Sequence, residues 1–80
     1  MTAMAKVKRA LVYVASGCED SARMLQRLEA DGFVVDVVDV SANPEKITEL
    51  LKLTGGRRVV PVVVAGGRID VQPGGGGSEF

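Results

Sequence analysis

Histidine and tryptophan are absent from this chain, and cysteine occurs once, at Cys18. One cysteine excludes an internal disulfide. Without histidine or paired cysteines the common zinc sites are excluded as well, so no metal site is expected. Aromatic residues make up only 4% of the 80 residues, against 46% hydrophobic overall, so the core has to be built from Val, Leu, Ile and Ala. Neither sign of charge dominates, because ten Lys and Arg balance ten Asp and Glu. That balance gives no support for nucleic-acid binding through bulk electrostatics. No apolar run approaches the roughly 18 residues of a membrane span. Lys6, Lys8 and Arg9 precede an apolar run, but it ends by Ala15 without a cleavage-site pattern. The start therefore reads as the lead into a first strand and not as a signal peptide. The expected location is cytoplasmic, where a lone thiol stays reduced. A chain of this length makes one domain with a modest core.

What is present alternates in type. Residues 8–15 read Lys-Arg-Ala-Leu-Val-Tyr-Val-Ala. This run is apolar on both faces, as in a central strand covered on each side, with the Tyr13 hydroxyl near the surface. Ser16-Gly17 breaks it. From Glu19 to Ala30, Ala22, Leu25 and Leu28, with Met24 beside them, make a helical stripe. Asp31-Gly32 ends that helix, with Gly32 suited to a left-handed cap. Residues 33–40, Phe-Val-Val-Asp-Val-Val-Asp-Val, are rich in β-branched residues and predict a second strand. Asp36 and Asp39 point to an edge position or to partial exposure. Asn43 is then the expected N-cap and Pro44 the first residue of a second helix, with Ile47, Leu50 and Leu51 buried and Gly55-Gly56 as the stop. Val59 to Ala65 predicts a third strand with Pro61 near its start. Gly66-Gly67 marks a hairpin, and Arg68 to Gln72 alternates as a fourth strand with one wet face. Residues 73–80, Pro-Gly-Gly-Gly-Gly-Ser-Glu-Phe, bury too little apolar surface to order themselves. They read as a flexible tail, natural or an attached linker, outside a domain spanning residues 1–72.

Cys18 stands where the first strand hands over to a helix. The first helical turn has unpaired backbone N–H groups and a partial positive charge, which stabilise a thiolate and lower the thiol pKa. Against that redox reading stands the ordinary one, a small buried hydrophobe. Glu19 and Asp20 complement the helix dipole but raise a neighbouring thiol's pKa. Only a moderate depression is therefore expected, unless a cation offsets them. Arg57 and Arg58 are the candidate cations, for the thiolate or for a substrate carboxylate. Their plain reading is a solvated pair on a loop.

The order strand, helix, strand, helix, strand, strand resembles the minimal thioredoxin fold. In detail it is similar to glutaredoxin-like proteins. Three features carry the resemblance: Cys18-x-x-Ser21 after the first strand, the run Gly55-Gly56-Arg57-Arg58-Val59-Val60-Pro61, and the Gly66-Gly67 hairpin. Together they span about residues 8–72. The resemblance implies an α/β fold with a mixed four-stranded sheet, β-α-β-α-β-β, lacking the family's final helix. It implies a cis Val60–Pro61 peptide facing Cys18, with Val60, Pro61, Arg57 and Arg58 at the substrate. It also implies thiol–disulfide exchange through Cys18 with glutathione or protein thiols, glutathione acting as co-substrate and no cofactor held tightly. The expected state is a monomer.

The departures narrow this. Where dithiol members carry a second cysteine, this chain has Ser21. A hydroxyl can donate to a thiolate, or merely cap the helix, but it cannot resolve a mixed disulfide. The family's glycine pair after the last strand is absent at Val71-Gln72, or displaced to Gly74-Gly75. The chain is similar in these respects to the short bacterial UXX-star proteins, which carry selenocysteine at the nucleophile. Position 18 is then either a natural cysteine or a replacement for selenocysteine. Two further readings are a thioredoxin-fold binding module that has lost turnover, and an iron–sulfur cluster shared across a dimer with glutathione. Cluster-binding monothiol members carry Gly-Phe where this chain has Glu19-Asp20.

Overall fold

A computed structural model of the chain describes residues 8–80. The lead-in through Lys6 lies outside the described residues. Strand β1 (Arg9–Val14) leads to helix α1 (Glu19–Ala30), strand β2 (Val34–Asp39) and helix α2 (Ile47–Thr54). Then come β3 (Val59–Val60), β4 (Val62–Ala65), β5 (Arg68–Val71) and β6 (Ser78–Glu79). Four strands form a mixed sheet in the order β2-β1-β4-β5. β1 runs parallel to β2, with Val12 opposite Val37, and antiparallel to β4, with Val12 opposite Val63. β4 and β5 form the hairpin turned by Gly66-Gly67, with Val63 opposite Asp70. This is the α/β arrangement of a minimal thioredoxin-like fold, with two helices.

β1 is central because both of its faces are apolar. Ala10, Val12 and Val14 pack with Leu28, Met24 and Leu25 of α1. On the other face Tyr13 packs with Leu50 in a cluster that also holds Cys18, Val40, Val60 and Val62. The helices thus sit on opposite sides of the sheet, as the double-faced run at residues 10–15 requires. β2 is an edge strand, one of the two readings that Asp36 and Asp39 left open, and its Val37 is 53% exposed.

Several details differ from the sequence reading. The buried stripe of α1 runs through Ser21, Met24, Leu25 and Leu28, while Ala22 is exposed. The inward face begins one residue earlier because Cys18 caps the helix and turns Ser21 toward the sheet. Asn43 does not cap α2. Its amide donates to the Asp39 carbonyl, and Pro44–Lys46 form a 3-10 turn before the α-helix starts at Ile47. The helix ends as expected, in left-handed Gly55, with the Gly56 N–H donating to the Leu51 carbonyl over 2.8 Å. The third strand is split at Pro61, which has no N–H to give to a ladder. The β5 alternation does not yield one wet face: Arg68 and Ile69 are both exposed, and Asp70 and Val71 both half-buried. β5 is an edge strand of the sheet, and only its last residue, Val71, packs against the core cluster of Leu50.

The largest difference lies in residues 73–80, read from composition as a tail without structure. They form a 3-10 turn at Pro73–Gly75 and then strand β6, paired antiparallel with β3. Apolar area alone would not order these residues. Backbone pairing with β3 does, and glycine permits a close backbone approach that other residues do not.

Candidate active site

Cys18 is the N-cap of α1, in extended conformation with φ −90° and ψ 106°. The turn that delivers it is short. Gly17 adopts φ 79°, and the Cys18 N–H donates to the Ala15 carbonyl over 3.3 Å. The Ser16 N–H donates to Ser41 Oγ over 3.0 Å, which ties this turn to the loop after β2. That loop is itself braced by Asp39, whose carboxylate accepts from the N–H groups of Ser41 and Ala42. Residues far apart in the chain thus fix the strand-to-helix corner.

The sulfur is mostly covered, with Cys18 only 7% exposed. Burial pushes its pKa up. The hydroxyls of Ser21 and Ser78 and the backbone N–H groups of Ser21 and Asp20 push it down, and together they prevail. The net result is a thiol that ionises below its ordinary range. Asp20 and Ser21 are the second and third residues of α1, where free N–H groups are expected. As a neutral thiol the side chain makes no capping bond to the helix. Ser21 Oγ is buried without a partner in this arrangement. Its contribution belongs to the thiolate, toward which a free hydroxyl can turn. Ser78 Oγ already donates to Cys18 Sγ over 3.2 Å.

The acidic pair after Cys18 is matched by a cation. Arg23 lies 3.7 Å from the Glu19 carboxylate and 3.5 Å from that of Asp20. Arg23 was missed in reading the sequence, although its i,i+3 and i,i+4 spacing was there to see. Ser78 was missed too, and nothing local to residue 78 signals it.

Of the residues singled out from the sequence, Cys18, Ser21, Val60 and Pro61 come together. The Val60–Pro61 peptide is cis, both residues are buried, and Val60 shares the core cluster of Cys18. Arg57 and Arg58 are exposed, and neither guanidinium is among the groups that lower the Cys18 pKa. The Arg57 N–H is held by Thr54 Oγ1 over 2.9 Å, and the Arg58 guanidinium lies 5.0 Å from the centre of the Phe80 ring. Arg23, and not Arg57 or Arg58, is the cation that pairs with the acidic residues, and no cation is among the groups that lower the Cys18 pKa. A shallow cavity of about 190 Å³ lies beside the sulfur rather than at it, between Asp20, Arg23 and Arg27 of α1 and Pro73, Gly74 and Gly76.

The glycine pair expected after the last strand is replaced by a side chain in a glycine-like conformation. Gln72 adopts φ 48° and ψ 59°, and turns the chain back toward β3. Its N–H donates to the Pro61 carbonyl over 2.8 Å and its side-chain amide to the Val60 carbonyl over 3.3 Å.

Among the described residues no helix is long and apolar enough to cross a membrane, and no three His, Cys, Asp or Glu side chains gather as a metal site. No curated protein and no solved structure matches the chain. The family model of glutaredoxin matches residues 10–69, from the first strand through the hairpin. That span contains Cys18, the cis-proline loop and both helices, and on it the chain belongs to the glutaredoxin family.

Proposed function

We propose that this protein is a thiol–disulfide oxidoreductase that works through a single sulfur. The observation that carries the reading is Cys18 as a helix N-cap with a depressed pKa, in a chain that has no second cysteine. The Cys18 thiolate attacks the glutathione sulfur of a mixed disulfide. A Cys18–glutathione disulfide forms, and the other thiol leaves as its thiolate. A second glutathione thiolate then attacks the glutathione sulfur held on Cys18. Glutathione disulfide departs, and the Cys18 thiolate is restored. Electrons balance, since one glutathione thiol and one mixed disulfide enter, and one thiol and one glutathione disulfide leave. The rate follows the thiolate fraction, the nucleophilicity and the access of Cys18.

In this reading Val60 and Pro61 form the wall of the substrate groove, and Ser21 donates to the thiolate. Arg57 and Arg58, on the neighbouring loop, are the residues proposed to grip a carboxylate. The likeness to UXX-star proteins raised selenocysteine at position 18, and a selenol would tolerate the acidic pair better than a thiol. Arg23 beside both carboxylates makes that tolerance less necessary, and the cysteine reading is preferred.

The test is intact mass after mixing reduced protein with glutathione disulfide from pH 5 to 9. One added glutathione is expected, with a rate midpoint below the ordinary thiol value of about 8.5 and no adduct in Cys18→Ser. A rate that climbs only above that value would leave an inert thiol and favour a binding module of the same fold.

A further inference from the structure

Residues 76–80 lie beyond the family match and across its nucleophile. Ser78 pairs with Val60 and Glu79 with Val59, in antiparallel register. The Phe80 N–H donates to the Arg58 carbonyl over 3.1 Å, and the Phe80 ring stacks under the Arg58 guanidinium. The Ser78 hydroxyl donates to Cys18 Sγ. All of these contacts fall on the loop just before Pro61 and on the sulfur itself.

The local sequence suits that seat. A Cβ on Gly77 would run into the Val60 carbonyl oxygen and the Gln72 side-chain amide. A Cβ on Gly76 would stand 3.0 Å from an Asp20 carboxylate oxygen. Glycine is what lets this backbone close on β3. An extended chain added to a free strand edge is also a general way for a protein to hold a peptide. At the place nearest the nucleophile the segment presents serine, the oxygen counterpart of cysteine.

We propose that residues 76–80 are a built-in occupant of the thiol-substrate groove. Ser78 stands where a substrate's sulfur-bearing residue has to go, and Cys18 is shielded until a substrate strand displaces it. The proposal rests on reading the groove as that of the exchange reaction. The seat is displaceable, because only two ladder pairs and a few single contacts hold it and its glycines lose much freedom on ordering. It is nevertheless favoured by tethering, since a short flexible link gives an effective concentration in the roughly millimolar range. A substrate therefore has to outbid its own enzyme's tail, and an oxidant that cannot form strand contacts reaches Cys18 slowly.

The experiment compares the full-length protein with Gly77→Ala and Gly77→Val. Carbamidomethylation of Cys18 by iodoacetamide is followed by intact mass, on the high-pH plateau where the thiol is fully ionised. The rate there does not depend on the thiolate fraction or on turnover, so shielding is judged apart from the exchange reaction. Gly77→Val is expected to react about tenfold faster than the parent, a measure of local opening, with Gly77→Ala in between. Equal plateau rates in all three would overturn the proposal. A second reading comes from hydrogen exchange of the Phe80 amide in the unaltered protein. Protection is expected, and an amide that exchanges at the free-peptide rate would overturn the proposal as well.

Discussion

Four groups act on one sulfur, and they act in opposite senses on its two forms. Burial of Cys18 favours the neutral thiol, while two hydroxyls and two helix N–H groups favour the thiolate. Each donor removed should let burial gain ground. Ser21→Ala and Ser78→Ala are both expected to raise the Cys18 pKa, followed by thiolate absorbance in the ultraviolet against pH. Ser21→Ala tests a further point. Its hydroxyl is buried and unpartnered beside the neutral thiol, so its loss removes a group with no bond to break in that form. The shift should therefore come with little loss of stability. A pKa unchanged in Ser21→Ala would show that the hydroxyl serves packing alone. Cys18 and its role in the helix start were legible locally, because a lone cysteine after Ser-Gly at a strand end has few other meanings. The buried position of Ser21 was legible only once the helix phase was known, since a one-residue change in phase exchanges Ser21 for Ala22.

At the scale of elements, α2 is anchored chiefly by one side chain. It spans eight residues, and Leu50 is its one fully buried apolar side chain. Leu50→Ala leaves a cavity against Tyr13, Val40 and Val60. It should cost about 2–5 kcal/mol, measured by urea denaturation. Because Val60 and Cys18 belong to the same cluster, the variant should also loosen the wall behind the sulfur. A loss much below 2 kcal/mol would mean that the helix settles into the gap. The strands and helices were legible because hydrophobic period and glycine punctuation agree with each other. The start of α2 was not. Asn43 and Pro44 do stand as cap position and first residue, but of a 3-10 turn, and the α-helix begins only at Ile47.

For the molecule as a whole, two titrating groups give stability an alkaline maximum. The Cys18 pKa is lowered on folding, so its contribution is present above the unfolded value of about 8.5 and is lost as pH falls through the lower folded value. Tyr13 behaves in the opposite sense. Burial first, and then the hydrogen bond and charge of Glu49, raise its pKa. Its hydroxyl donates to Glu49 Oε1 over 3.1 Å. That contribution is present below the unfolded value of about 10 and is lost as pH rises through the folded one. Urea midpoints should therefore rise from neutral pH toward about 8.5 and fall again above about 10. Cys18→Ser should flatten the first limb and Tyr13→Phe the second. If Cys18→Ser left the rise intact, the thiolate would not be the source.

The sequence by itself determined the element order from β1 through the Gly66-Gly67 hairpin, the central β1, the partial exposure of the β2 aspartates, the helix stop at Gly55-Gly56 and the placing of a lone cysteine at a helix start. These follow from local periodicity and from residues whose conformational range is narrow, so neighbours in the chain suffice to read them. The tertiary structure alone decided what surrounds the sulfur. Ser78 reaches Cys18 from sixty residues away, along a segment whose composition says only that it is flexible. Arg58 faces Phe80 and leaves the acidic pair to Arg23. The physical reason is that glycine in a sequence marks freedom without saying where it is spent, and only a partner strand at the Val60 edge converts that freedom into a particular course.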